Sequence, residues 1–191
     1  PHLETFTPGS LVNIATIYLQ QGDYKDAIPI YRRMLKKYNK TSVIEQFMAN
    51  AYGNLNQLDS ATYYYKKAIV RSRNLKNRSF EANNLSNLSL ILVKKNKPTE
   101  AKDAIEKALK LAREHQIEIL FSAIYTNAIE VYLLNNNYNL VEFYSNKVLT
   151  SKSVKDNLFM QKNIYATLYD VFKQQKKYKK ALNSLEKFKI L

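Results

Sequence analysis

The chain has 191 residues, of which 46% are hydrophobic, and its formal net charge is +14 at pH 7. It contains three glycines, four prolines and no cysteine. So few turn residues argue against a β-sandwich or a β-barrel, which need many tight turns. The lack of cysteine excludes a disulfide framework and a thiolate metal site. No run of about 18 apolar residues is present, as a membrane-spanning helix would require. The composition therefore favours long helices with short connections around a buried core.

The first two helices are predicted by apolar side chains at i, i+3, i+4 and i+7. Thr7-Pro8 fits an N-cap followed by proline at the first helical position. The connection at 21–23 is short, so the two helices should run antiparallel. Neither helix can bury its apolar stripe alone, and successive hairpins must therefore stack. The two stripes are Leu11, Ile14, Ala15 and Tyr18, then Ala27, Ile30, Tyr31 and Met34.

The same signature recurs along the whole chain, and such a period indicates a repeat architecture. A small residue opens the second helix of each pair, at Ala27, Ala61, Ala101, Val141 and Ala181. The intervals between these positions are 34, 40, 40 and 40 residues. Nine positions before each small residue stands an aromatic or large aliphatic residue, namely Tyr18, Tyr52, Leu92, Tyr132 and Phe172.

This pattern resembles the tetratricopeptide repeat (TPR) family over about residues 8–191. The resemblance implies an all-α, right-handed solenoid of about five antiparallel helical hairpins. It implies a disordered or extended start at 1–7 and a single array at 8–191. The repeats would lie roughly at 8–41, 42–79, 80–119, 120–159 and 160–191. The 40-residue units are similar to the longer TPR arrays of bacterial regulatory and signalling proteins, and six extra residues would lengthen each helix by about one turn.

Three positions depart from the family pattern. Glu45 stands where an apolar residue is usual, and Val141 replaces a small residue. Ser145 is polar where a large residue is usual. These departures predict that the fourth hairpin packs less regularly.

In the TPR family the first helix of each hairpin lines a concave face. Asn side chains offer both a donor and an acceptor, so a row of them could pair with the backbone of an extended peptide. The same Asn residues could equally be ordinary polar surface, or part of a small-molecule pocket. The candidate groove residues by position are Asn13, Thr16, Asn50, Asn54, Asn83, Asn87, Asn127, Glu130, Asn163 and Asp170.

One TPR subclass clamps the acidic tails of heat-shock chaperones with a set of cationic and amide side chains. The corresponding first-repeat positions here hold Val12 and Thr16, and the third-repeat positions hold Asn83 and Asn87. The cations are missing, so membership of that subclass is rejected.

The basic charge allows a second interpretation. Lysine and arginine concentrate at 32–37, 66–78 and 173–180, mostly on the second helices of hairpins. These cations form either a solvated outer face or a surface that binds a polyanion, such as nucleic acid or an anionic membrane. Lysine greatly outnumbers arginine, and the tyrosines are mostly explained as repeat core positions, which makes nucleic acid the less favoured partner.

Enzyme chemistry is not indicated. The two histidines are His2, near the start, and His115, at a predicted helix end where a cation suits the helix dipole. No HExxH, P-loop, GxGxxG or GxSxG motif occurs. Glu130 and Asp170 could in principle act as a general acid and base, but binding specificity is their simpler use. The sequence predicts a non-catalytic scaffold without metal or cofactor.

The last residues continue an apolar helical pattern through Phe188, Ile190 and Leu191. A terminal repeat should present a polar outer face. We therefore expect either that further helix follows, or that a homodimer forms through the C-terminal hairpin. On this interpretation the array is the sensory or interaction region of a larger bacterial regulatory protein that binds a protein or peptide. The compartment and the partner's identity are not determined by the sequence.

Overall fold

A computed structural model describes residues 7–38 and 42–191, and within these ranges it contains eleven α-helices and no strand. Of the predicted extended start, residues 1–6 lie outside the described part. The helices are α1 Pro8–Gln21, α2 Tyr24–Tyr38, α3 Ser42–Asn54, α4 Leu58–Asn74, α5 Arg78–Lys94, α6 Pro98–Glu114, α7 Glu118–Leu134, α8 Tyr138–Leu149, α9 Lys152–Lys155, α10 Leu158–Gln174 and α11 Tyr178–Ile190.

Consecutive helices pack as five hairpins, α1–α2, α3–α4, α5–α6, α7–α8 and α10–α11. Neighbouring hairpins stack through α2 on α3, α4 on α5, α6 on α7, and α10 on α8. The predicted all-α array of about five hairpins is confirmed. The third, fourth and fifth hairpins begin at Arg78, Glu118 and Leu158, two residues before the starts suggested by the repeat spacing.

Each hairpin is closed around its small residue. Ala27, Ala61, Ala101 and Val141 have no exposed surface, and Ala181 is 4% exposed. In the second hairpin Gly53 of α3 lies against α4, since a Cβ built on Gly53 would stand 3.9 Å from the Cβ of Ala61. Bulkier side chains at these positions would separate the two helices and open the core.

Seven of the turns in the described part of the chain use one backbone conformation. In the turn after α3, Gln57 N–H donates to Tyr52 C=O (2.8 Å) and Asn56 N–H donates to Gly53 C=O (3.2 Å). This pair of bonds is the Schellman motif, whose central residue takes the left-handed conformation. The first central residue with a positive φ is Gly22 after α1. The others recur at steps of 20, apart from position 156, and are Asn56, Lys76, Asn96, Gln116, Asn136 and Lys176.

Five of the later helices are about one turn longer, as the 40-residue interval predicts, whereas α8 and α11 have only 12 and 13 residues. Helices α1, α2 and α3 have 14, 15 and 13 residues. Helices α4, α5, α6, α7 and α10 have 17 residues each. The difference corresponds to roughly one turn of 3.6 residues.

The fourth hairpin is irregular, but at a different point from the predicted one. Val141 and Ser145 are fully buried within an unbroken helix, although the Ser145 hydroxyl has no partner among the described residues. The break follows α8, where Thr150 Oγ1 donates to the carbonyls of Asn146 and Lys147. Such side-chain bonds compete with the helix backbone. Ser151 is extended, and the short α9 begins after it.

Glu45 is explained by an ion pair. Its side chain is 3% exposed and accepts two bonds from the Arg71 guanidinium, Nε to Oε2 at 3.0 Å and Nη2 to Oε1 at 2.9 Å. Two parallel bonds of this kind satisfy a buried carboxylate. The polar residue thus joins α3 to α4 at a position where the family pattern has an apolar side chain.

We predict that Gln116→Gly raises the free energy of unfolding by up to about 1 kcal/mol, because Gln116 is held at φ +52° and only glycine adopts that region without steric cost. Urea denaturation followed by circular dichroism measures the change. Asp156→Gly is the matched control, because Asp156 occupies the next-but-one step of the same 20-residue series at φ −104° and should gain nothing. Equal stabilisation by both substitutions would contradict the explanation.

Candidate functional site

The ten predicted groove residues all lie on the first helix of a hairpin. They occupy positions 18, 14, 11 and 7 residues before the small residue, a spacing that places them on one helix face. We call this surface the groove face. Its members are Asn13 and Thr16 on α1, Asn50 and Asn54 on α3, Asn83 and Asn87 on α5, Asn127 and Glu130 on α7, and Asn163 and Asp170 on α10.

A cleft of about 310 Å³ between α3 and α5 brings three of these amides together, and we call it the amide cleft. Burial raises the pKa of Tyr65 above its usual value, so its hydroxyl stays protonated and donates to Asn50 Oδ1. Asn54 Nδ2 donates to the Asn50 carbonyl (2.9 Å). The cleft therefore has ordered amide groups on its wall. Its lining is Asn50, Gly53, Asn54, Tyr65, Asn87, Leu90, Ile91 and Lys94.

A second cleft of about 240 Å³ lies between α7 and α10, and we call it the carboxylate cleft. It brings Glu130 and Asn163 together but does not include Asp170. Asn157 caps α10, since its Oδ1 accepts from Met160 N–H (3.0 Å). The lining is Thr126, Ile129, Glu130, Asn157, Phe159, Met160, Asn163, Ile164 and Thr167.

The groove residues differ in whether their side chains already form hydrogen bonds within the fold. Asn127 Nδ2 donates to Ser86 Oγ (2.9 Å) and so ties α7 to α5. Thr16 Oγ1 donates to the Val12 carbonyl (2.8 Å), and the Asn87 to Asn83 contact is long, at 3.5 Å. Within 7–38 and 42–191, four of the ten side chains make no hydrogen bond or ion pair, and these are Asn13, Glu130, Asn163 and Asp170. These four are exposed and available to a ligand.

Sequence reasoning missed three groups in these clefts. Tyr65 lies on α4, outside the groove positions, but its hydroxyl reaches Asn50 in the amide cleft. Lys94 stands seven residues before Ala101, the same repeat position as Asn54, so the repeat alignment carried a signal for it. Phe159 is 76% exposed at the start of α10, and its place in the carboxylate cleft is evident only from the tertiary structure, in which residues of α7 and α10 line one cleft.

The described residues contain no cluster of three or more His, Asp or Glu side chains that could hold a metal ion. No described helix is long and apolar enough to cross a membrane.

Two family models match the chain, each for a tetratricopeptide repeat, over residues 10–42 and 82–115. No curated protein matches the sequence significantly. Among solved structures, BtubC (BKLC) from P. vanneervenii has a TM-score of 0.80 at 18% identity, and the match covers 94% of this chain and 77% of that chain. A tetratricopeptide repeat protein from Parabacteroides merdae has a TM-score of 0.69 at 17% identity, and the match covers 97% of this chain and 65% of that chain. MamA has a TM-score of 0.70 at 16% identity, and the match covers 92% of each chain. At these identities the likeness shows the fold.

We predict that Asn127→Ala lowers the free energy of unfolding by about 1–2 kcal/mol, because it removes the bond to Ser86 and leaves that buried hydroxyl without this partner. Asn163→Ala is the control, since the exposed Asn163 side chain has no partner among the described residues, and it should change stability little. Urea denaturation of both variants checks this. Equal stability of Asn127→Ala and the unsubstituted protein would show that the bond does not hold α7 to α5.

Proposed function

Because the chain is a tetratricopeptide-repeat protein, we propose that it is a non-catalytic scaffold that binds an extended peptide segment of a partner protein on its groove face. The observation that carries the proposal is the set of exposed, unbonded polar side chains on that one face. Asn13, Glu130, Asn163 and Asp170 come from three different hairpins. An extended chain carries donors and acceptors along its whole length and can pair with several of them at once.

The sizes of the two clefts favour a peptide over a compact small molecule. At about 310 and 240 Å³ they lie at or below the lower end of ligand pockets. Each accommodates a side chain better than a whole drug-sized ligand. Because the clefts lie on different pairs of helices along one face, one extended segment could place a side chain in each.

The array also fits the interaction region of a larger protein. That the larger protein is a bacterial regulator remains a prediction from the similarity of the 40-residue units to such arrays. A homodimer through the C-terminal hairpin remains a prediction as well. It is supported by exposed apolar side chains on α11, with Leu182 56% and Ile190 84% exposed.

The peptide proposal predicts that ligands selected from a random library of short displayed peptides bind the groove face. The double variant Asn87→Ala/Asn163→Ala should weaken these peptides by about tenfold or more, since each lost hydrogen bond contributes about 1 kcal/mol. Fluorescence anisotropy measures the affinity, and circular dichroism checks the fold. Asn74→Ala/Asn139→Ala, on the second helices α4 and α8, is the matched control and should bind normally. Equal affinity of all three proteins would exclude the groove.

Polyanion binding is the alternative, and α4 is where the structure favours it. Elsewhere many lysines are engaged within the fold, on α6 with Glu100, Asp103, Glu106 and Glu114. On α10 and α11 lysines lie over rings, as Lys180 does over Phe172 at 5.3 Å. On α4, Lys67 likewise lies over the Tyr63 ring at 4.8 Å, and Arg71 pairs with Glu45. The α4 face differs in bordering an open cleft of about 680 Å³, lined by Glu45, Tyr63, Lys66, Lys67, Val70, Arg71, Asn74 and Leu75.

The polyanion alternative predicts that binding to an oligonucleotide or to phosphatidylserine vesicles weakens steeply with salt. Lys66→Glu/Lys67→Glu should reduce the affinity and the slope of its salt dependence. The charge-matched control is Lys25→Glu/Lys152→Glu, which changes exposed residues on α2 and α9. An equal loss in both variants would mean that net charge, and not the α4 face, is responsible.

A further inference from the structure

We propose that the peptide bound on the groove face carries a lysine or arginine beside a large apolar side chain, and that the carboxylate cleft recognises this pair. The inference rests on the proposed function and specifies the chemistry of its ligand. In this arrangement the cationic group pairs with Glu130, and the apolar side chain packs against Phe159 and Met160. The aliphatic part of the basic side chain would lie along the same apolar surface.

The first support is the state of the groove carboxylates. Glu130 and Asp170 are exposed, stand at the same repeat position on α7 and α10, and have no ion-pair partner in the described ranges. By contrast, two carboxylates that face a neighbouring helix are ion-paired. Glu45 pairs with Arg71, and Glu142 pairs with Lys180 at 2.7 Å. In a chain of net charge +14, the two charged members of the groove face are therefore both negative.

The second support is the apolar wall beside Glu130. Phe159 is 76% exposed, although its ring lines a cleft whose other apolar members are Ile129 and Ile164, both buried, and Met160, partly buried. Covering an exposed phenylalanine ring with an apolar side chain contributes on the order of 1–2 kcal/mol. The ring face would also attract a cation positioned over it. Apolar surface and carboxylate thus lie within one small cleft.

The two clefts have opposite charge, which gives the ligand a direction. Lys94 lines the amide cleft, is exposed, and has no ion pair with the described residues, while that cleft contains no carboxylate. The carboxylate cleft contains no lysine or arginine. A bound peptide should therefore place its basic residue at the α7–α10 end and an acidic side chain, or its carboxyl terminus, at the α3–α5 end.

A preference for basic peptides can be distinguished from non-specific electrostatic attraction to the positively charged protein. The overall positive charge attracts acidic peptides to every part of the surface. Enrichment of basic peptides runs against this background, so it requires a local acidic site. An acidic-peptide preference, by contrast, would not need the groove.

The experiment uses the full chain and peptides selected from the random displayed library at physiological salt. We expect the selected sequences to be enriched in Lys or Arg adjacent to Phe, Leu, Ile or Met. Glu130→Gln should weaken such a peptide by about fivefold, the upper range for an exposed ion pair, and Glu130→Lys by more. Replacing the peptide's basic residue with Glu should have an effect comparable to that of Glu130→Lys. Glu186→Gln on α11 removes the same charge from an exposed site elsewhere and should leave the affinity unchanged.

Two different failures can be told apart. If selected peptides lose affinity in Asn87→Ala/Asn163→Ala but show no basic enrichment and no response to Glu130→Gln, the groove binds peptides and the inference about basic residues is wrong. If Phe159→Ala leaves binding unchanged as well, the carboxylate cleft is not part of the site. If no selected peptide responds to any groove substitution, the proposed function itself fails.

Discussion

The close crossing of two helices at a small side chain is the constraint on which the rest of this structure depends. Ala61 and its four counterparts are buried where the second helix of each hairpin begins, and Gly53 shows how near the first helix passes. Once that contact is made, the apolar stripe of each helix must face its partner. The opposite face of every first helix is then left outward, in the same orientation from hairpin to hairpin, and becomes the groove face.

The turns preserve this orientation along the chain. A left-handed residue at the centre of a Schellman motif ends seven of the described helices, and from Asn56 onwards these residues stand at steps of 20 except at position 156. There, Thr150 and Ser151 interrupt the helix and α9 replaces the regular turn. Gln161 Nε2 donates to the Val154 and Lys155 carbonyls and so ties α10 to that segment. The irregular connection thus leads directly into the segment that lines the carboxylate cleft.

The charges on the second helices and those on the groove face differ in whether the fold pairs them. Many cations on the second helices are paired with carboxylates of their own helix or lie over aromatic rings, and such exposed contacts contribute little to stability individually. The charged members of the groove face are Glu130 and Asp170, and both are unpaired in the described structure, as is Lys94 in the amide cleft. A surface that holds few charges and leaves them unpaired is better suited to discriminating between partners than one with a dense, internally compensated charge.

The sequence by itself determined the repeat, the all-α hairpin array and the helices that carry the groove residues, because periodicity and the small residues are local features of the chain. The 17-residue length of five helices followed from the 40-residue interval for the same reason, but the shorter α8 and α11 did not. Only the tertiary structure decided which groove side chains are free. The Asn127 amide donates a hydrogen bond to Ser86 on another hairpin, and the Glu45 carboxylate forms an ion pair with Arg71. The repeat pattern also did not predict the break after α8, or that Phe159 and Glu130 line the same cleft. These features depend on contacts between residues far apart in sequence, which a repeat alignment does not contain.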